Sequence, residues 1–271
     1  MRLLPPALLL LLAACSAPPP VDAVGMLAGI SEEEFKAMHT LKTDKAPPRQ
    51  GVHVAVGGGR AYLALPKGKQ APLPAVLVIH EWWGLNEHIE HWADRLAALG
   101  YAALAVDLYG GKVATNRDEA TQLMRGVQLE QAVATLRSAH EFVLRDARVQ
   151  AGKTAALGWC FGGAMALQAG LNIQELDGVV MYYGRPVTDV EKLKALRAPL
   201  LGVFGNKDRG IPPRAVDEFE QALRAAGCGF ELRRYDAEHA FANPSSAAYD
   251  ELHAAQAYAE VKAFLAQRLG G

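Results

Sequence analysis

Residues able to do covalent chemistry are scarce in this chain, which has 271 residues but only three cysteines. One of them, Cys160, lies in Gly158-Trp159-Cys160-Phe161-Gly162, a glycine-x-nucleophile-x-glycine pattern. The pattern is mechanical. A sharp strand-to-helix turn lifts the nucleophile above a sheet, and the flanking glycines leave room for its strained backbone. The helix that follows aims its N-terminus at the sulfur, which favours the thiolate, the reactive form. With 26 glycines and three cysteines, about 0.03 such matches would arise by chance. The competing explanation is an inert cysteine beside a tight turn, since unpaired cysteine is usually buried.

A nucleophile of this kind needs a base, and the base needs an orienting acid. Asp208 (in Gly205-Asn206-Lys207-Asp208) and His239 (in Glu238-His239-Ala240-Phe241) each follow an apolar, strand-like run, Pro199–Gly205 and Gly229–Tyr235. Position singles out His239 from the eight histidines. Asp107 also ends a strand, but it precedes the nucleophile and is read as structural. His80-Glu81 opens like a His-Glu-x-x-His zinc motif, yet position 84 is glycine. His88 and His91 share a helix face without a third ligand nearby and are read as solvated. The glycines at 57–59 match no nucleotide fingerprint. Neither a metal nor a cofactor is expected. Three cysteines make no disulfide framework, and Cys228 is read as packing.

The elements that must position these residues follow from the apolar pattern. Val52–Val56 and Ala61–Leu65 around Gly57-Gly58-Gly59 predict a hairpin. Ala75–His80 and Tyr101–Asp107 are continuous apolar runs of the buried parallel-strand kind. Ile89, Trp92, Leu96 and Leu99 recur at helical spacing, and a long helical region, broken or not, runs from about Arg117 to Arg145. Thr154–Trp159 is a strand leading into Cys160. Strands at Gly178–Tyr183, Pro199–Gly205 and Gly229–Tyr235 then alternate with helices, the last ending near Leu269. The expected fold is α/β: a mostly parallel twisted sheet with helices on both faces and an N-terminal hairpin, of the α/β-hydrolase type. Ligands in such sheets lie beyond the carboxyl ends of the strands, where Cys160, Asp208 and His239 fall in the α/β-hydrolase order of nucleophile, acid, base.

The N-terminus reads differently. Residues 1–14 carry one arginine and a Leu/Ala-rich run too short to span a bilayer, as in a signal peptide. The run ends Leu12-Ala13-Ala14-Cys15, which resembles a bacterial lipoprotein signal sequence. That resemblance implies cleavage before Cys15, lipidation of its thiol and export to a membrane surface. Ser16, in place of an aspartate, implies the periplasmic face of the outer membrane. An ordinary cleaved signal, or a true start at Met26, are the plainer alternatives. Residues 15–50 read as a lipidated, proline-rich tether with a short helix from Ser31 to about Leu41, and 51–271 as the catalytic domain. The formal net charge of −1 gives no electrostatic case for nucleic acid.

Several ordered segments carry a family resemblance: His80-Glu81-Trp82-Trp83-Gly84-Leu85-Asn86-Glu87-His88-Ile89, Asp107-Leu108-Tyr109, the Gly-x-Cys-x-Gly-Gly elbow, Tyr182-Tyr183-Gly184, Asp208 and His239. Together, from about Gly51 onward, they resemble the dienelactone hydrolase family. The resemblance implies a Cys160–His239–Asp208 triad acting on esters or lactones through a thioester acyl-enzyme. It further implies that Glu81 switches the thiol to thiolate, and that the backbone N–H groups of Trp82 and Phe161 form the oxyanion hole. Two departures stand out. Gly111 and Asn243 occupy positions where dienelactone hydrolase proper has arginines for its substrate carboxylate, and neither can form a charged bidentate clamp. A more neutral small-molecule substrate is therefore expected. Trp82, Trp83 and Trp159 are candidates for an aromatic wall, or equally for core packing. A thioesterase or short-chain carboxylesterase with the same triad, and a tethered binding module without turnover, are the alternative functions.

Overall fold

The chain enters its sheet through a hairpin. In the computed structural model, which describes residues 49–270, β1 (Val52–Val56) pairs antiparallel with β2 (Gly59–Ala64). The two-residue turn between them requires positive φ twice, supplied by Gly57 at 56° and Gly58 at 81°. The signal-like segment, Cys15, and the tether with its short helix as far as residue 48 lie outside the described residues.

β2 then pairs antiparallel with β4 (Ala102–Val106), which lies beside β3 (Ala75–Ile79). From β4 across, every ladder is parallel, through β5 (Thr154–Trp159), β6 (Gly178–Tyr182), β7 (Leu200–Gly205) and β8 (Phe230–Tyr235). The order is β1-β2-β4-β3-β5-β6-β7-β8. β3 and β5 therefore lie in the middle, and β8 is an edge.

Strand alternation divides the interior into two cores. On β3, Ala75, Leu77 and Ile79 face one side, and Val76 and Val78 the other. α1 (Glu87–Ala98) and α7 (Glu251–Leu269) cover the second side through Ile89, Trp92, Leu96, Tyr258, Val261 and Leu265. The first side is covered by α3 (Leu129–Arg145), α4 (Phe161–Asn172) and α6 (Pro213–Ala226). The helical region from Arg117 is broken: α2 (Arg117–Gly126) ends at a glycine, a weak helix former, and Val127 and Gln128 are extended before α3 begins. A single turn of helix, α5 (Val190–Leu193), precedes β7. Asn86 caps α1 by accepting the Ile89 N–H at 3.2 Å, and Asn116 caps α2 by accepting the Glu119 N–H at 3.0 Å.

The edge strand is laced to both layers. Arg234 reaches Asp217 (2.6 Å) and Glu220 (3.2 Å) on α6, and Arg233 reaches Glu260 (3.2 Å) on α7.

Candidate active site

The carboxyl ends of β3, β5, β7 and β8 meet in one place. β5 runs straight into α4, and Cys160 at the junction has φ 54° and ψ −116°, a conformation costing a non-glycine residue about 1–3 kcal/mol. Main-chain contacts hold it there. The Cys160 N–H donates to the Tyr182 carbonyl at 3.0 Å, and its own carbonyl accepts the Ala164 N–H at 3.1 Å. A Cβ at Gly158 would strike the Gly162 carbonyl, and one at Gly163 the Tyr182 carbonyl, so these two positions require glycine. Four non-glycine residues have positive φ among the described residues, and three of them, Cys160, Tyr183 and Ala240, flank this site.

The loops after β7 and β8 bring Asp208 and His239 together. Asp208 Oδ1 accepts the N–H groups of Gly210 (2.7 Å) and Ile211 (2.9 Å), while Oδ2 lies 2.6 Å from His239 Nδ1. This leaves Nε2 as the nitrogen available to Cys160, which lines the same cavity. Burial opposes a charged imidazole, but the hydrogen bonds and negative charges of Asp208 and Cys160 outweigh it and push the His239 pKa up to about 10. Burial likewise works against the Asp208 carboxylate, yet His239 and the two loop amides hold its pKa below the usual value. The arrangement favours a charged imidazolium beside the Cys160 sulfur. Cys160 and Cys228 are free thiols; Cys228 packs at the rim of the core, its Sγ 3.3 Å from the Leu193 carbonyl.

Glu81 follows β3 and is buried against the same site. Burial raises its pKa to about 7, against the lowering influence of His239 and a hydrogen bond from Asn243. That bond, from Asn243 Nδ2 to Glu81 Oε2, is 2.5 Å long. Asn243 Oδ1 accepts the Ser245 N–H at 2.8 Å; because a backbone N–H can only donate, the amide nitrogen must face Glu81. The amides of Trp82 and Phe161 have no hydrogen-bond acceptor among the described residues, and Phe161, first in α4, has no preceding turn to supply one.

A cavity of about 970 Å³ opens over Cys160 and His239 and is walled by Trp82, Trp83, Glu81 and Asn243. Trp82 and Trp83 pack edge-on at 5.0 Å. Trp159 is not part of this wall. As the last residue of β5 it points to the face of the sheet rather than its end, and is buried between Trp92 (4.6 Å) and Tyr182 (5.7 Å). His91 is buried rather than solvated, His88 is half-buried, and both line the cavity. Asp107 accepts the N–H groups of Tyr109 and Gly111 and thereby fixes the loop after β4.

Three residues escaped the sequence reading. Arg117, at the start of α2, is the one arginine among the described residues lining the cavity. Tyr183 is fully buried with its ring 5.0 Å from His239, and burial followed by the nearby negative charges of Glu81 and Cys160 raises its pKa well above the usual value. His80 is buried directly behind Glu81. The Tyr182-Tyr183-Gly184 segment was the available signal for Tyr183.

The profile of the dienelactone hydrolase family matches residues 60–269. The chain belongs to the dienelactone hydrolase family. A Methylorubrum extorquens protein provisionally named a carboxymethylenebutenolidase is 33% identical over 197 residues, 67% of each chain. One from Saccharolobus solfataricus, named in the same way, is 30% identical over 250 residues, covering 76% of this chain and 93% of the relative. Among solved structures, a provisionally named dienelactone hydrolase from Klebsiella pneumoniae superposes with a TM-score of 0.74 at 31% identity, over 80% of this chain and 97% of the other. The α/β-hydrolase fold and a dienelactone hydrolase-like activity on ester or lactone bonds follow. The Asn243 amide is engaged by Glu81.

Proposed function

We propose that the protein hydrolyses a small, largely neutral ester or lactone with Cys160 as nucleophile, His239 as acid and base, and Asp208 as the group that orients the imidazole. The observation that carries this reading is the Asp208–His239 pair, with Asp208 Oδ2 2.6 Å from Nδ1, in one cavity with Cys160 at its strained strand-to-helix corner. The thiolate adds to the substrate carbonyl carbon, and the carbonyl electrons move to oxygen. The Trp82 and Phe161 amides donate to that oxyanion, charge that is absent from the ground state. Collapse expels the alkoxide, which takes a proton from the imidazolium, and a thioester remains on Cys160. His239 then deprotonates water, the hydroxide adds to the thioester, and collapse releases the acid and restores the thiolate. Glu81 helps to ionise the thiol when substrate arrives. Trp82 and Trp83 supply an apolar wall for a substrate lacking a charge.

The test is a p-nitrophenyl ester assay with mass spectrometry of the quenched enzyme. Wild type should give a burst and a mass increase of one acyl group on Cys160, and Cys160→Ala should give neither. An alanine variant with full esterase activity would remove the mechanism. By the lipoprotein resemblance, we further infer that Cys15 carries a lipid that holds the enzyme on the periplasmic face of the outer membrane. Labelled palmitate should be incorporated by wild type and not by Cys15→Ala; equal labelling, or a wild-type protein found wholly in the soluble fraction, would sink that reading.

A further inference from the structure

His80 is fully buried and takes no part in the steps above. Its two ring nitrogens are nonetheless both engaged. Nε2 lies 3.1 Å from the Leu108 N–H, which can only donate, so Nε2 must be the acceptor and the neutral ring must carry its proton on Nδ1. That proton points at the Glu81 carbonyl oxygen, which lies 2.6 Å from Nδ1. Burial pushes the His80 pKa down, which favours the neutral ring. The ring also lies nearly parallel to Phe161, with centroids 5.8 Å apart and planes at 28°, and meets Tyr109 edge-on at 4.5 Å.

The Glu81 carbonyl and the Trp82 N–H belong to one peptide unit. That unit is planar and trans, so its C=O and N–H point in opposite directions. Whatever fixes the oxygen of Glu81 also fixes the line along which Trp82 donates. The same carbonyl accepts the Gly84 N–H, but at 3.3 Å, so the His80 bond is the shorter restraint. Donation into the oxygen also polarises the peptide and strengthens its N–H as a donor. Phe161, the other amide in question, begins the helix whose first ring packs on His80.

We propose that His80 is a positioning residue for the oxyanion hole, its imidazole strung between the end of β4 and the Glu81–Trp82 peptide so that the Trp82 and Phe161 amides converge on one point. The inference rests on the oxyanion role given to those two amides. It assigns His80 no contact with substrate and no proton transfer in the reaction.

The test separates two reactions of the same sulfur. Alkylation of Cys160 by iodoacetamide develops no oxyanion, whereas acylation by a p-nitrophenyl ester does. In His80→Phe the ring volume remains and both hydrogen bonds are lost. We expect kcat to fall ~30-fold, less than the roughly 10²–10³-fold lost when one oxyanion donor is removed outright, with KM within threefold and the alkylation rate within threefold of wild type. His80→Gln can span both partners with one amide and should recover kcat to within fivefold. If His80→Phe keeps kcat within threefold of wild type, or if kcat and alkylation fall in parallel, the proposal is overturned. Should His80→Phe fail to fold, the same two rates are read in His80→Asn, where loss of ester turnover alone supports the proposal and equal loss of both defeats it. Cys160→Ala separates this from the larger reading: its inactivity beside a fully active His80→Phe would defeat the oxyanion-positioning role only.

Discussion

The corner that carries Cys160 is held by main chain, whereas Asp208 and His239, on loops that main-chain bonds also join, are oriented to each other by side chains. At Cys160 the restraints are an amide on the Tyr182 carbonyl and glycines whose absent Cβ atoms let backbone lie on backbone. Around His239 they are one carboxylate with three hydrogen bonds, and Asn243 bridging to Glu81 from the loop that follows. The first kind of construction fixes where the sulfur is. The second fixes which protons it meets. Geometry built from backbone should therefore fail together with stability, and protonation built from side chains should fail alone.

The largest effect should come from the side-chain half. His239→Gln and Asp208→Asn should each lower kcat by about 10³–10⁴-fold, with melting temperatures changed by only a few degrees; a loss under tenfold in either would break the comparison. In the backbone half, Gly163→Ala forces a methyl against the Tyr182 carbonyl and should cost about 1–3 kcal/mol of stability. About 100-fold in turnover should go with it, through displacement of the strained nucleophile. Calorimetry and kinetics on one preparation check both, and normal stability with lost activity would count against a backbone-built corner.

Glu81 should produce a smaller, pH-dependent effect. Its folded pKa of about 7 lies above the ordinary carboxyl value of 4.5, so the native state holds this proton more tightly than the unfolded chain does. The associated stability is complete below about pH 4.5 and is lost as pH rises through 7. Glutamine cannot ionise, so Glu81→Gln should gain on wild type over that interval by an amount on the order of 3 kcal/mol. In kinetics, the wild-type acid limb of kcat/KM near pH 7 should flatten in Glu81→Gln, with a plateau about tenfold lower. A retained limb near pH 7 would assign it to another group. The smallest effect is expected at Arg117, whose side chain is exposed. Arg117→Ala should change the preference between neutral and anionic esters less than tenfold, since exposed charge contributes little.

The elbow was legible because a strained strand-to-helix turn admits few sequences: glycine spacing is a direct record of backbone geometry. Asp208 and His239 were legible only through their places after strands and their order along the chain. Neither residue type says what it will touch. Trp159 could have been assigned from parity alone, since 155, 157 and 159 share one face of β5 and that face is core. His91 resisted because polarity suggests solvent, whereas its place beside Ile89 and Trp92 on α1 puts it at the cavity wall. Asn243 was visible as a departure, but its bond to Glu81 spans 162 positions, and no local pattern reports such a pairing. The role of His80 depends on Leu108 in the loop after β4, which is equally invisible from its own segment.

The strand order has one more consequence. β5 is flanked by strands on both sides, while β8, from which the His239 loop departs, hydrogen-bonds to β7 alone. Edge elements open at lower free energy than central ones. A molecule warmed short of global melting would thus part with its proton carrier first, leaving an exposed thiol on an intact platform, inert as a hydrolase yet open to oxidants.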